Sequence, residues 1–125
     1  MKEKISTTAA PAAIGPYSQA IRHGDLLFVS GQIPIDPTTG NLVDGDIVVQ
    51  TEQVMKNLGA VLKAAGMGYA NVLRTTCFLG NMDDFAKFNE TYAKYLGESA
   101  PSRETVQVVR LPKGAMVEVS AICGA

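Results

Sequence analysis

The stretch 46-DIVVQTEQVMKNLGAVLKAAG-66 decides how the rest of the chain is read. Val54, Leu58, Val61 and Leu62 recur at i, i+4, i+7 and i+8, while Glu52, Gln53, Lys56 and Lys63 fall mainly on other faces. That spacing predicts an amphipathic helix, because at 3.6 residues per turn these four side chains form one stripe. Gly66 supplies the left-handed residue that commonly ends a helix. A stripe of this kind must be buried against something, and the flanking segments provide it.

Downstream, 71-NVLRTTCFLG-80 is β-branched or apolar at Val72, Leu73, Thr75, Thr76 and Phe78 and reads as a strand. The segment 83-DDFAKFNETYAKYLG-97 opens with acids suited to a helix N-terminus. It keeps helical spacing through Phe85, Phe88, Tyr92 and Leu96. Two further strands are expected at Thr105–Val109 and in 116-MVEVSAIC-123, on either side of an LPKG link. Upstream, 17-YSQAIRHGDLLFVSGQIPI-35 reads as two strands joined at Gly24-Asp25, with Leu26–Ser30 as a well-buried strand. The segment 36-DPTTGNLVDGD-46 reads as loop, and a short strand is possible at Glu3–Ser6.

The resulting order, ββαβαββ, predicts one domain over residues 1–125, of α+β class. It would be an antiparallel or mixed sheet with two helices packed on one face. No third helix is available for the other face, although several strands are apolar at nearly every position. The economical cover is another copy of the chain, so a homo-oligomer is expected.

Composition narrows the function. With 46% hydrophobic residues the chain is globular rather than disordered. Eleven basic residues against twelve acidic ones, in mixed order and with no Trp, argue against nucleic acid as partner: a single-strand groove needs a positive track with stacking rings. No stretch approaches the ~20 apolar residues needed to span a bilayer, and Met1–Ala13 lacks a signal-type apolar core. Cys77 and Cys123 lie far apart in apolar runs and read as buried free thiols, which suits a reducing, cytoplasmic setting. His23 is the only histidine and sits in the expected hairpin turn. Neither a zinc site nor a Ser-His-Asp triad can be assembled around it.

Three segments carry more specification than a fold requires. In 13-AIGPYSQA-20, Gly15-Pro16 would fix the ring of Tyr17 at a strand entrance. In 29-VSGQIP-34, Ser30-Gly31 stand where a buried strand stops, and glycine permits close approach. In 101-PSRETVQVVRLPKGAMVEVSA-121, Arg103 precedes one strand. Glu118 lies inside another, on one face with Met116 and Ser120 and opposite Val117, Val119 and Ala121. Glu118 either points at water or is covered, in which case it needs a partner. A guanidinium grips a carboxylate by two parallel hydrogen bonds. Arg103 and Glu118 either pair with each other, or share a pocket in which Arg103 holds an anion and Glu118 handles a proton.

The motifs APAAIGPYSQA, SGQIPIDPTTG, DFAKFNETY, PSRETVQVVRLPKGA and VEV occur in this order along nearly the whole chain. Together they closely resemble the RidA (YjgF-type, reactive-intermediate deaminase) family. The resemblance implies a chorismate-mutase-like fold with a mixed sheet. It also implies a homotrimer whose sheets form an internal β-barrel, with sites in the clefts between subunits. The implied activity is hydrolysis of 2-imino and enamine acids such as 2-iminopropanoate and 2-iminobutanoate to 2-oxo acids and ammonia, with no metal and no cofactor. By position, Arg103 would clamp the substrate carboxylate, Glu118 would activate water, and Tyr17 would complete the catalytic set. Ser30 and Gly31 would line the site, with backbone groups of Gly31 and Thr105 near the substrate. Two departures stand out. Family members often carry Glu-x-Glu where this chain has Glu118-Val119-Ser120, and a bulkier residue is common where Ala100 precedes Pro101. Rival expectations are a non-catalytic binder of small carboxylates, an endoribonuclease, and a structural trimer in which Arg103 and Glu118 form an interfacial ion pair.

Overall fold

The computed structural model describes residues 1–125. The opening helix forms as α1, Ile47–Ala64. Asp46 caps it, its Oδ1 accepting from the Val49 amide at 3.1 Å. At the other end Gly66 adopts φ 73°, and the Gly66 and Met67 amides donate to Lys63 and Leu62, the paired bonds of a Schellman stop. Val54, Met55, Leu58, Val61 and Leu62 are completely buried. Burial of each such side chain contributes about 1.5–3 kcal/mol, so Leu58→Ala is the kind of change that would break this face.

The strands are β1 (Lys2–Ile5), β2 (Ala20–His23), β3 (Leu26–Gln32), β6 (Val72–Leu79), β7 (Ser102–Gln107) and β8 (Val117–Gly124). They form one sheet in the order β1-β2-β3-β8-β6-β7. All neighbours are antiparallel except β6 and β7, which run parallel through the crossover helix α2, Phe85–Leu96. The sheet is therefore mixed, and α1 and α2 cover one face. Its buried side is built from Leu27, Val29, Cys77, Leu79, Val117, Val119, Ala121 and Cys123, continuous with Phe88 and Leu96 of α2. Both cysteines are buried and free. The β2–β3 turn is made at Gly24, φ 61°, as its sequence requires.

Four expectations shift. The first strand ends at Ile5 rather than Ser6. The segment after Pro34 is not all loop: β4 (Ile35–Asp36) pairs with β5 (Asn41–Leu42), because Asp36 organises the intervening turn through the Thr38 amide and hydroxyl. β3 is not buried throughout. Leu27 and Val29 face the helices, while Leu26 and Phe28 are 40% and 42% exposed on the other side. Finally, β7 starts at Ser102 and stops at Gln107, so Arg103 lies inside the strand rather than before it. Pairing with Arg74–Leu79 captures the polar Ser-Arg-Glu run, and Val109 is left fully exposed.

The open face of the sheet carries Leu26, Phe28 and Val106, all 40% exposed or more, together with Phe78, Ile122, Ser120 and Glu118. The sequence left this face without a helix, and the chain leaves it without a cover.

Candidate functional site

The positions of Arg103 and Glu118 follow from strand register. Arg103 is directly opposite Thr75, which is opposite Ala121; Glu118 is opposite Phe78, which is opposite Val106. Paired residues share a face and neighbours along a strand alternate, so Arg103 is on the helix side and Glu118 on the open side. Of the two arrangements left open, direct pairing does not occur within one chain, and no carboxylate lies in ion-pair distance of Arg103.

Glu118 meets one of the other expected residues, Gly31, and two more lie on the segments around it. Between Val29 and Gln32, β3 carries one residue more than the facing segment of β8, a bulge at Ser30-Gly31. Bulges re-aim side chains and are frequent beside active sites. The bulge places Gly31 under the Glu118 side chain. Its start is fastened to the Tyr17 segment: the Ser30 amide donates to Gln19 O at 3.0 Å and the Ser30 hydroxyl to Ser18 O at 2.6 Å. The Ser30 hydroxyl thus fastens the neighbouring loop. Tyr17 is 54% exposed, with its hydroxyl accepting from the Ile14 amide at 3.4 Å and its own amide donating to Gly15 O at 2.9 Å. Tyr17 and Gly31 line a cavity of about 290 Å³ with Ile14, Gln32, Pro112 and Lys113. The Glu118 carboxyl is half-buried and accepts no hydrogen bond within the chain; burial pushes its pKa up.

Gln19 was not singled out in the sequence, yet it holds this corner together. Buried to 4% exposure, it accepts from the Thr7 amide at 2.6 Å and donates to the carbonyls of Thr7, Ala10 and Pro11. A Gln directly after the GPYS turn was the available signal.

Arg103 lies on the other side in a setting of its own. Its guanidinium carbon is 5.0 Å from the ring centroid of Tyr92, 5.6 Å from Phe85 and 5.9 Å from Phe88. Each such contact contributes about 0.5–1 kcal/mol where solvent still reaches the cation. Nη1 donates to Asn89 Oδ1 at 2.7 Å. The group borders a cavity of about 360 Å³ lined by Asn89, Ala93, Leu96, Ala100 and Pro101 among others. Beneath it, Thr75 and Tyr92 share a hydrogen bond of 2.7 Å, and burial raises the pKa of both Tyr92 and Cys77. The Thr105 hydroxyl is buried there without a hydrogen-bond partner. Asn89 also went unread in the sequence, although it is a polar residue at i+4 from Phe85 on the Phe85, Phe88, Tyr92 stripe.

The structure thus places Glu118 against Gly31, with Ser30 in the same bulge and Tyr17 across the adjoining cavity, and separately Arg103 and Thr105. The first cluster offers a carboxyl group able to exchange a proton, and the second a guanidinium able to hold a small anion. No group of three or more His, Cys, Asp or Glu residues could hold a metal ion, and no helix is long and apolar enough to cross a membrane.

Comparison with known proteins agrees with this architecture. Residues 7–124 match the family model described as Endoribonuclease L-PSP. A RutC family protein from Pyrococcus horikoshii is 56% identical over 98% of this chain and 97% of its own length. The 2-iminobutanoate/2-iminopropanoate deaminase of Mus musculus is 48% identical over 98% of this chain and 90% of its own. Among solved structures, a protein of the conserved Rid family from Yersinia pestis superposes with a TM-score of 0.97, at 48% identity and over all of both chains. With matching motifs, fold and full-length similarity in hand, the chain belongs to the Endoribonuclease L-PSP family, the YjgF/RidA group of Rid proteins.

Proposed function

We propose that this single-domain protein hydrolyses 2-imino acids, such as 2-iminobutanoate and 2-iminopropanoate, to 2-oxo acids and ammonia. The working form is a homotrimer with the chorismate-mutase-like arrangement, its open sheet faces turned inward as a barrel. The observation that carries the reading is the guanidinium of Arg103, a cation with no carboxylate partner, held at the rim of a small cavity. The 48% identity to the mouse deaminase supports the choice of substrate class.

In this reading the substrate carboxylate docks on Arg103 of one subunit, a charge-assisted contact worth roughly 1.5–3 kcal/mol. The imine carbon then lies near the Glu118, Gly31, Ser30 and Tyr17 corner of the next subunit. Glu118 takes a proton from water, whose oxygen bonds to the imine carbon as the C=N π pair moves to nitrogen. Glu118 returns that proton to nitrogen and then passes the second proton, from the new hydroxyl, to the same nitrogen, so the C–N bond breaks and ammonia leaves as the C=O forms. Backbone groups of Gly31 and Thr105 flank the reacting atoms, and Tyr17 orients the water or closes the site. General-base action of this kind typically contributes ~10²–10⁴ in rate. The chemistry calls on no cofactor, and a cytoplasmic location fits the two free thiols.

The family description names an endoribonuclease. A near-balanced charge without a basic, aromatic track favours a small carboxylate over RNA. The test is a coupled assay. A threonine dehydratase generates 2-iminobutanoate with semicarbazide present, and wild type is compared with Arg103→Ala. Faster 2-oxobutanoate release by the wild type, lost in the variant, is the expected result. Equal, buffer-like rates for both would leave a carboxylate binder or scaffold in its place.

A further inference from the structure

We infer that Asn89 is a positioning residue that keeps the charge of Arg103 available to the substrate by anchoring it without neutralising it. The inference rests on the anion-clamp role proposed above. A guanidinium has five donors and no acceptor, so a side chain that orients it must offer an acceptor. Asp or Glu would do so more strongly, but would also cancel the charge and occupy the fork a substrate carboxylate needs. This chain uses a neutral amide oxygen, at 2.7 Å from Nη1, and three aromatic rings, which attract the cation through their quadrupoles and carry no net charge.

The geometry is economical. Phe85, Phe88, Asn89 and Tyr92 lie at i, i+3, i+4 and i+7, so one face of α2 supplies the whole cradle. Only one terminal nitrogen is engaged by the protein. Because Arg103 can only donate, the Asn89 oxygen must face it, and the amide NH₂ is directed elsewhere, with no acceptor in the chain. The three ion pairs of the chain lie at Arg22, Arg74 and Lys94. Arg103, half-buried among rings, is kept apart from them.

The test compares wild type, Asn89→Ala and Asn89→Asp by three readouts. These are 2-oxobutanoate affinity by titration calorimetry, kcat and KM on 2-iminobutanoate, and Tm. The Asp variant should bind 2-oxobutanoate ~10–100-fold more weakly and raise KM in proportion, while its Tm holds or rises through a charge-assisted bond to Arg103. The Ala variant should lose less, ~3–10-fold, from disorder of the guanidinium alone. A residue that merely glues α2 to β7 predicts the reverse order, with Asp the better replacement. Asp binding the oxo acid as well as wild type therefore overturns the inference. Should the Asp variant not fold, an Ala variant with unchanged affinity and KM overturns it alone. If wild type binds 2-oxobutanoate, Asp loses it and neither hydrolyses imine, the deaminase reading fails while the role of Asn89 stands. If wild type neither binds nor hydrolyses, both fall.

Discussion

Glu118 lays its carboxyl group across the Cα of Gly31, so that a Cβ at position 31 would stand 2.8 Å from the carboxyl carbon and 3.1 Å from Cγ. The glycine is therefore needed for space: its φ is outside the left-handed region, and its backbone is one any residue adopts. The displaced atoms belong to the far end of a flexible side chain, which can swing away at little cost.

This relationship separates folding from catalysis. Gly31→Ala should fold, with Tm within a few degrees of wild type, yet lose ~10²-fold or more in kcat if Glu118 is the base, because its carboxyl is pushed from its place. Imine turnover and a thermal melt on the same preparation check it. Wild-type turnover would mean that Glu118 is not held where the reaction occurs.

Much of this architecture was legible in the sequence, for identifiable reasons. α1 was readable because Val54, Leu58, Val61 and Leu62 encode their own period. β8 was readable because Val117 to Cys123 alternate, which separates Glu118 from the face of Val117, Val119 and Ala121 without saying what covers it. The side taken by Arg103 was not readable. It depends on the register of β7 against β6, a parallel pairing across the α2 crossover that no local pattern specifies. The bulge at Ser30-Gly31 was hidden for a similar reason, since it exists only as a mismatch between β3 and β8. Asn89 carries no local signal either, because its role depends on the tertiary contact with Arg103.

Arg103→Lys keeps a positive charge but replaces a planar fork by a point charge, and stacks less well on Tyr92 and the two Phe rings. It should fall almost as far as Arg103→Ala, ~10–10²-fold in kcat/KM. Steady-state kinetics of the two side by side decide; a fully active Lys variant would leave charge alone as the requirement.

Burial raises the pKa of Glu118, and the direction fixes two pH effects. As a base it must be ionised, so the acidic limb of kcat/KM should lie above the ordinary glutamate value of 4.5 and vanish in Glu118→Gln. For stability, the folded chain binds the proton more tightly than the unfolded one. The contribution is thus present at low pH and lost as pH rises through the folded pKa. Glu118→Gln should gain stability relative to wild type at pH 7.5 compared with pH 4, measured by urea midpoints. An unchanged difference would mean the carboxyl is solvated in the assembly.

The open sheet face predicts the assembly. Phe28, 42% exposed and beside Ile122, is apolar where a lone protomer has no use for it. Phe28→Glu should give a folded single chain, with far-UV dichroism retained, light scattering at the mass of one protomer, and no imine turnover. A trimer persisting at full activity would place the interface elsewhere.

The sharpest consequence comes from the opposite placement of Arg103 and Glu118 on one sheet. If a working site joins Arg103 of one subunit to Glu118 of its neighbour, two crippled variants can repair each other. Arg103→Ala and Glu118→Ala should each keep no more than about a tenth of wild-type turnover alone. Unfolded together in equal amounts and refolded as mixed trimers, they would form an intact pair wherever a Glu118→Ala subunit lends its arginine to an Arg103→Ala neighbour. For random mixing in a cyclic trimer that happens at about a quarter of the interfaces. Recovery of roughly 25% of wild-type turnover is expected, against about a tenth or less when either variant is refolded alone. A site built within one chain yields no recovery at any mixing ratio, because every chain then lacks one of the two groups.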